Sequence, residues 1–259
     1  MEISEILILL FLGLVSGIIN TLAGGGSLIT LPVMIFMGIP PIEANGTNRI
    51  QLIFQNISAI YGFKSKGISY FRFSSWLSLS ALLGAILGAT IAINFPEDLF
   101  KKLLSIIMIF VMFSFFIKEK RKKKFLTKNK IKNKLLSFLL FFLVGIYGGF
   151  IHAGVGFFII LILSKVNELK ISHSNSIKVF VALIFSLSAF LIFLYDNKVN
   201  WVYGINLGIG SAAGGWLASR WSYNVSDKIM KIILSIIISI MSISLWIFKD
   251  ENINNYSCV

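Results

Sequence analysis

Three consecutive glycines lie in the stretch Ala23-Gly24-Gly25-Gly26-Ser27-Leu28-Ile29-Thr30-Leu31-Pro32. A second glycine-rich stretch, Gly148-Gly149-Phe150-Ile151-His152-Ala153-Gly154-Val155-Gly156-Phe157, follows later. Each interrupts an apolar run that would otherwise read as a single long membrane helix. A helix restarting after such a break presents unpaired amides and the positive end of its dipole, which is a place to hold an anion. Gly24, Gly25, Gly26 and Ser27 are candidates for that role at the first break, and Gly154 and Gly156 at the second. Close helix packing is the competing role, but three glycines in a row exceed what packing needs and cost helix stability.

Arg49 and Lys178 are the basic residues set about two turns inside apolar segments, roughly 9 Å beyond the polar residues that precede them. A charge at that depth is costly without a cavity, a counter-charge or a ligand. Two readings stand for Lys178, an anion-binding charge or a side chain that snorkels back to the headgroups. Arg49 has a further option in pairing with Glu43. Asn20, Asn45, Thr47, Asn48, Gln51 and Asn175 offer neutral donors, with Asn48 aligning with Lys178 across the halves; their plain role is capping and inter-helix bonding. His152 is either a proton-sensitive group beside the second break or a packed, hydrogen-bonded side chain. No Asp or Glu lies deep in an apolar segment, so the carboxylate relay of many ion-coupled carriers is missing and uncoupled anion exit fits better.

The elements that position these residues must lie in lipid. Of 259 residues, 56% are hydrophobic and the mean hydropathy is +0.85, too apolar for a soluble domain. The formal charge of +13 is concentrated between Lys118 and Lys134, where ten basic residues face the single Glu119. That is a localised loop, explained by the positive-inside rule and anionic headgroups, and no basic domain for nucleic acid accompanies it. The first residues, Met1 to Glu5, lack a basic signal region, so the first apolar run is expected to remain as a helix. Cys258 is the only cysteine, which leaves no intrachain disulfide or multi-cysteine metal site.

The fold class expected is all-α and integral to the membrane, with two related repeats. Residues 1–117 form the first, 118–134 the basic cytoplasmic loop, 135–250 the second and 251–259 a polar tail. In each repeat a glycine-broken pair of short helices precedes three spans. The first pair covers about 6–20 and 27–37; further segments run to about Phe63, then about 73–93 and 99–117. The second repeat starts with about 135–151 and 155–163, then a polar turn through His173-Ser174-Asn175-Ser176 and a span opening at Ile177-Lys178. Gly84 and Gly88 match Gly210 and Gly214, and Asp98 and Lys102 match Asp227 and Lys231. Basic loops at 64–72 and 118–134 are expected in the cytoplasm. If the first two segments form a re-entrant pair the halves are inverted; if they form one broken span the halves are parallel, and the loop charges leave both open.

The chain resembles the TauE/SafE sulfite exporter family, also called the 4-toluene sulfonate uptake permeases, over nearly its whole length. The resemblance rests on Gly17 to Pro32, on Ala44-Asn45-Gly46-Thr47-Asn48-Arg49, and on Gly145-Ile146-Tyr147-Gly148-Gly149-Phe150 and Ser176-Ile177-Lys178-Val179. At the second break His152 stands where the family pattern expects a smaller residue. The resemblance implies export or uptake of small sulfur-containing or organic anions, such as sulfite or sulfonates, across a bacterial cytoplasmic membrane. The expected partners are that anion and the bilayer, with a homodimer admitted, no nucleic acid and no cofactor. An intramembrane enzyme is disfavoured, because the apolar segments carry neither His-x3-His nor paired carboxylates. The remaining alternative is a structural or accessory subunit, in which the glycines serve packing alone.

Overall fold

The computed structural model describes residues 2–67, 71–116, 134–169, 171–221, 239 and 242–244. Of the basic loop expected at 118–134 only Lys134 is described, opening a helix; most of the last span, with Asp227 and Lys231, and the tail with Cys258 lie outside the described residues. The described residues form nine helices: α1 (Ile3–Ala23), α2 (Ser27–Phe36), α3 (Pro41–Lys64), α4 (Phe71–Ile93), α5 (Glu97–Phe116), α6 (Lys134–Phe150), α7 (Val155–Lys165), α8 (Ile171–Tyr195) and α9 (Trp201–Trp221). Three of these contain stretches long and apolar enough to cross a bilayer: Ile3–Ala23, Ser74–Ile93 and His173–Tyr195.

Local chemistry sets the ends that matter. α1 stops because Gly24 takes the left-handed conformation at φ 82°, its amide bonded back to Asn20 O at 2.9 Å and Ile19 O at 3.2 Å. Pro41 opens α3, where its fixed φ suits the first helical turn and its missing N–H costs nothing. The polar turn expected at 173–176 is instead helical, since α8 begins at Ile171. The helix runs through these residues with the Asn175 side chain committed to Leu22 O on α1 and to Lys178 one turn ahead, rather than to its own backbone in a turn.

The distribution of side chains is inside out relative to a water-soluble protein. Asn20, Asn45, Asn48, Arg49, Gln51, Gln55, Asn56 and Lys178 are buried, while Leu7, Phe11, Leu83, Leu87, Ile91, Leu139, Leu143 and Leu191 face outward. Lipid makes this the stable arrangement, because apolar side chains gain nothing by hiding from it and polar ones must find partners inside.

Glycine seams decide which helices touch. A Cβ on Gly84 or Gly88 would collide with α6 backbone around Phe142 and Ile146, and one on Gly145 or Gly149 with Ala81 or Ala85 of α4. The same contact recurs between α1 and α9, where Gly13 and Gly17 abut Leu207 and Ser211 while Gly210 and Gly214 abut Leu10 and Leu14. In both seams the residue numbers rise together, so each pair is parallel. α3 runs parallel to α1, with Gln51 bonded to Ser16 at 2.5 Å and Gln55 to Thr21 at 2.6 Å. It runs antiparallel to α8, since Arg49 near its start lies 5.5 Å from the Phe193 ring and Phe63 near its end clusters with Val179. Because Asn20 is level with Gln55, α1 stops about 9 Å short of the end of α3.

Gly88→Leu is expected to destabilise the protein by about 1–3 kcal/mol through overpacking of the α4/α6 seam. Leu87→Ala, on the outward face of the same helix, should leave stability nearly unchanged. Thermal unfolding in detergent checks both; equal melting temperatures for the two variants would show that the seam tolerates a side chain.

Candidate functional site

The two breaks meet in the protein interior. Gly24 packs directly on Gly156, backbone against backbone, and Ser27 Oγ lies 3.5 Å from His152 Nδ1. Gly24 has φ 82° and Gly154 has φ 72°, so each break turns on a residue in the left-handed region, and the contact leaves no room for a side chain on Gly24 or Gly156.

Each break has one helix end of each sign. At the negative ends, three successive carbonyls are capped from a distant helix. Lys178 Nζ donates to Asn20 O and Thr21 O, both at 2.8 Å, and Asn175 Nδ2 donates to Leu22 O at 3.3 Å. Arg49 Nη1 donates to Gly148 O at 2.6 Å, Nη2 to Gly149 O at 2.8 Å, and Asn45 Nδ2 to Phe150 O at 2.7 Å. Each asparagine also accepts from its cation, Asn175 Oδ1 from Lys178 at 3.0 Å and Asn45 Oδ1 from Arg49 at 3.2 Å. The counterpart of Lys178 by role is therefore Arg49, not the Asn48 with which spacing pairs it. Neither cation snorkels: Arg49 is 0% and Lys178 2% exposed. Glu43 does not meet Arg49; its carboxylate accepts from Asn200 at 3.3 Å.

At the positive ends lie the first-turn amides. The first backbone bonds of α2 are Leu28 N to Gly25 O and Ile29 N to Gly26 O, and that of α7 is Phe157 N to Gly154 O. The amides of Gly25, Gly26 and Ser27, and of Val155 and Gly156, precede those bonds, as first-turn amides do. Beside them Asn48 Nδ2 donates to Ser27 Oγ at 2.9 Å and Thr30 Oγ1 donates to Asn48 Oδ1 at 2.9 Å. His152 stacks on Phe185 at 5.3 Å, and its Nε2 is buried with no partner among the described residues.

Of the residues singled out by sequence, Asn48, Ser27, His152 and the glycines thus converge at the meeting of the breaks, with Lys178, Asn175, Arg49 and Asn45 as the caps beside it. Asn20 is adjacent, its Nδ2 donating to Gln55 Oε1 at 2.7 Å. Thr47 is not part of it, for its Oγ1 accepts from the Asn200 amide at 2.8 Å on the connection from α8 to α9. Sequence reasoning passed over Gln55, Ser16 and Thr30. The signal for Gln55 was present in the run Asn48, Gln51, Gln55, an amide stripe at helical spacing. An apolar cavity of about 450 Å³ lies elsewhere, between α5, α6 and α7, lined by residues such as Ile107, Leu143 and Leu161, and offers nothing to hold an anion.

The family model described as sulfite exporter TauE/SafE matches residues 9–245. A probable membrane transporter protein, ORF9, from Sinorhizobium sp is 28% identical over 231 residues, covering 89% of this chain and 88% of the relative. The probable membrane transporter protein YfcA of Escherichia coli K12 is 23% identical over 239 residues, 92% of this chain and 88% of its own. A probable membrane transporter protein of Haemophilus influenzae is 25% identical over 217 residues, 83% and 85% of the two chains. No solved structure matches the chain.

Lys178→Met should lower the melting temperature in detergent by several degrees, because the Asn20 and Thr21 carbonyls lose charge-assisted bonds of about 1.5–3 kcal/mol each. Lys178→Gln keeps an amide donor and should recover part of that loss. A Lys178→Met protein as stable as the original would mean that water replaces the cap.

Proposed function

This chain belongs to the sulfite exporter TauE/SafE family and is a membrane transporter of that family; from that premise we propose that it exports a small oxyanion, of the sulfite or sulfonate class, held where the two glycine breaks meet. The observation that carries this reading is a charge imbalance. Arg49 and Lys178 are fully buried, whereas no Asp or Glu among the described residues is buried. Their partners are carbonyl and amide oxygens, which bear no net charge. A buried uncompensated cation costs several kcal/mol, and an anion arriving at the adjacent helix starts offsets that cost.

The caps also shape the field. Left bare, the ends of α1 and α6 would set about half a negative charge each beside the site. With Lys178 and Arg49 on them, the positive starts of α2 and α7 dominate. Asn48, Ser27 and the amides of Gly25 and Gly26 then supply neutral donors for anion oxygens, with Asn20, Asn45, Asn175, His152, Gly154 and Gly156 around them. With the interior negative, each charge leaving as an anion gains about 2.3 kcal/mol per 100 mV, so export needs no coupling ion.

The same reading includes two inverted repeats in a bacterial cytoplasmic membrane. It is supported by the antiparallel crossing of α3 and α8, by the two matched glycine seams, and by caps that each run from the third helix of one half to the broken helix of the other. An inverted arrangement with the basic loop inside puts the tail outside. A membrane-impermeant maleimide should therefore label Cys258 on intact cells, and labelling only after lysis would contradict inversion.

Transport is tested in proteoliposomes with an imposed potential and a panel of sulfite, ethanesulfonate, sulfate and acetate. Sulfite or ethanesulfonate flux should fall at least tenfold in Lys178→Gln, which removes charge while keeping a donor, and Lys178→Arg should retain part of it. Gly25→Val should block flux by covering the amides. Wild-type rates in Lys178→Gln would misplace the site, and no flux of any anion in the unmodified protein would favour a structural subunit.

A further inference from the structure

We infer that the centre of the α3/α8 crossing, between Asn56 and Ser186, is a second, neutral anion position, occupied in transit and separate from the breaks. The placement follows from two flanking contacts. Arg49 lies over the Phe193 ring at 5.5 Å, and Phe63 clusters with Val179. Asn56 is seven residues from both Arg49 and Phe63, and Ser186 is seven from both Val179 and Phe193. Seven residues bring a helix almost back to the same face. Asn56 and Ser186 therefore lie on the faces by which α3 and α8 meet, midway between the two contacts.

Both side chains are buried, Asn56 at 1% and Ser186 at 0% exposure, and Asn56 Oδ1, Asn56 Nδ2 and Ser186 Oγ have no hydrogen-bond partner among the described residues. An amide buried with both ends unpaired is expensive, and an apolar side chain would not incur that cost. A pair of unpaired polar side chains facing one another inside a membrane helix crossing is a place where something polar stays. The neighbourhood favours an oxyanion over a cation: Arg49 is two turns away on the same face of α3, while no buried carboxylate is present among the described residues to hold a cation. Asn Nδ2 and Ser Oγ donate without adding fixed charge, so an anion would bind weakly enough there to move on.

This inference rests on the transport reading, and ethanesulfonate flux through the unmodified protein tests that reading separately. Here the probes are Asn56→Cys and Ser186→Cys in a Cys258→Ser background. A sulfonate-bearing methanethiosulfonate should modify both at least tenfold faster than its quaternary-ammonium analogue, and ethanesulfonate should slow that reaction. Asn56→Leu should cut ethanesulfonate flux at least fivefold while its melting temperature stays at or above that of the parent, since a merely structural amide would show no such split. Absence of labelling, equal rates for the two reagents, or parental flux in Asn56→Leu would each overturn the inference even if the unmodified protein transports.

Discussion

A helix that ends inside a membrane leaves its last carbonyls without water to receive them, and each unsatisfied group there costs several kcal/mol. α1 and α6 both end buried in the protein, away from its surface. In each case three successive carbonyls are met by one cation and one asparagine from a distant helix: Asn20, Thr21 and Leu22 by Lys178 and Asn175, and Gly148, Gly149 and Phe150 by Arg49 and Asn45. This requirement explains why Arg49 and Lys178 are buried and why each sits beside an asparagine a single turn earlier.

The caps join local backbone chemistry to the long-range field. They hold the broken helices so that Gly24 can rest on Gly156 and Ser27 can approach His152. They also cancel the negative helix ends, leaving two positive helix starts beside Arg49 and Lys178, with no buried carboxylate among the described residues. A scaffold built to satisfy backbone carbonyls thereby acquires a positive interior. The glycine seams bring α1 against α9 and α4 against α6, backbone to backbone.

Much of this was legible in residue types. The glycines marked the breaks because a triple glycine has no place in a continuous helix, and Arg49 and Lys178 stood out because charge in an apolar segment needs a reason. What the sequence could not reveal was the partner of each cation, since a backbone carbonyl carries no residue signature. For that reason Lys178 paired by spacing with Asn48, while the structure matches it to Arg49. The polar residues at 173–176 read as a turn because local propensity favours one, yet they are helical, with the Asn175 side chain donating to Leu22 O of α1 and accepting from Lys178 one turn ahead. Thr47 looked equivalent to Asn48, but a neighbour on a helix points about 100° away, and it bonds Asn200 instead.

The central claim is that the buried positive charge at the breaks is completed by a bound anion. Thermal unfolding of the purified protein, measured against ethanesulfonate concentration at constant ionic strength, tests it most directly. A ligand that binds only the folded state stabilises it by about 2.7 kcal/mol at a hundredfold excess over its Kd. The melting temperature should climb with the logarithm of ethanesulfonate concentration in the unmodified protein and stay flat in Lys178→Gln. A melting temperature that ignores ethanesulfonate in the unmodified protein, or climbs equally in both, would contradict it.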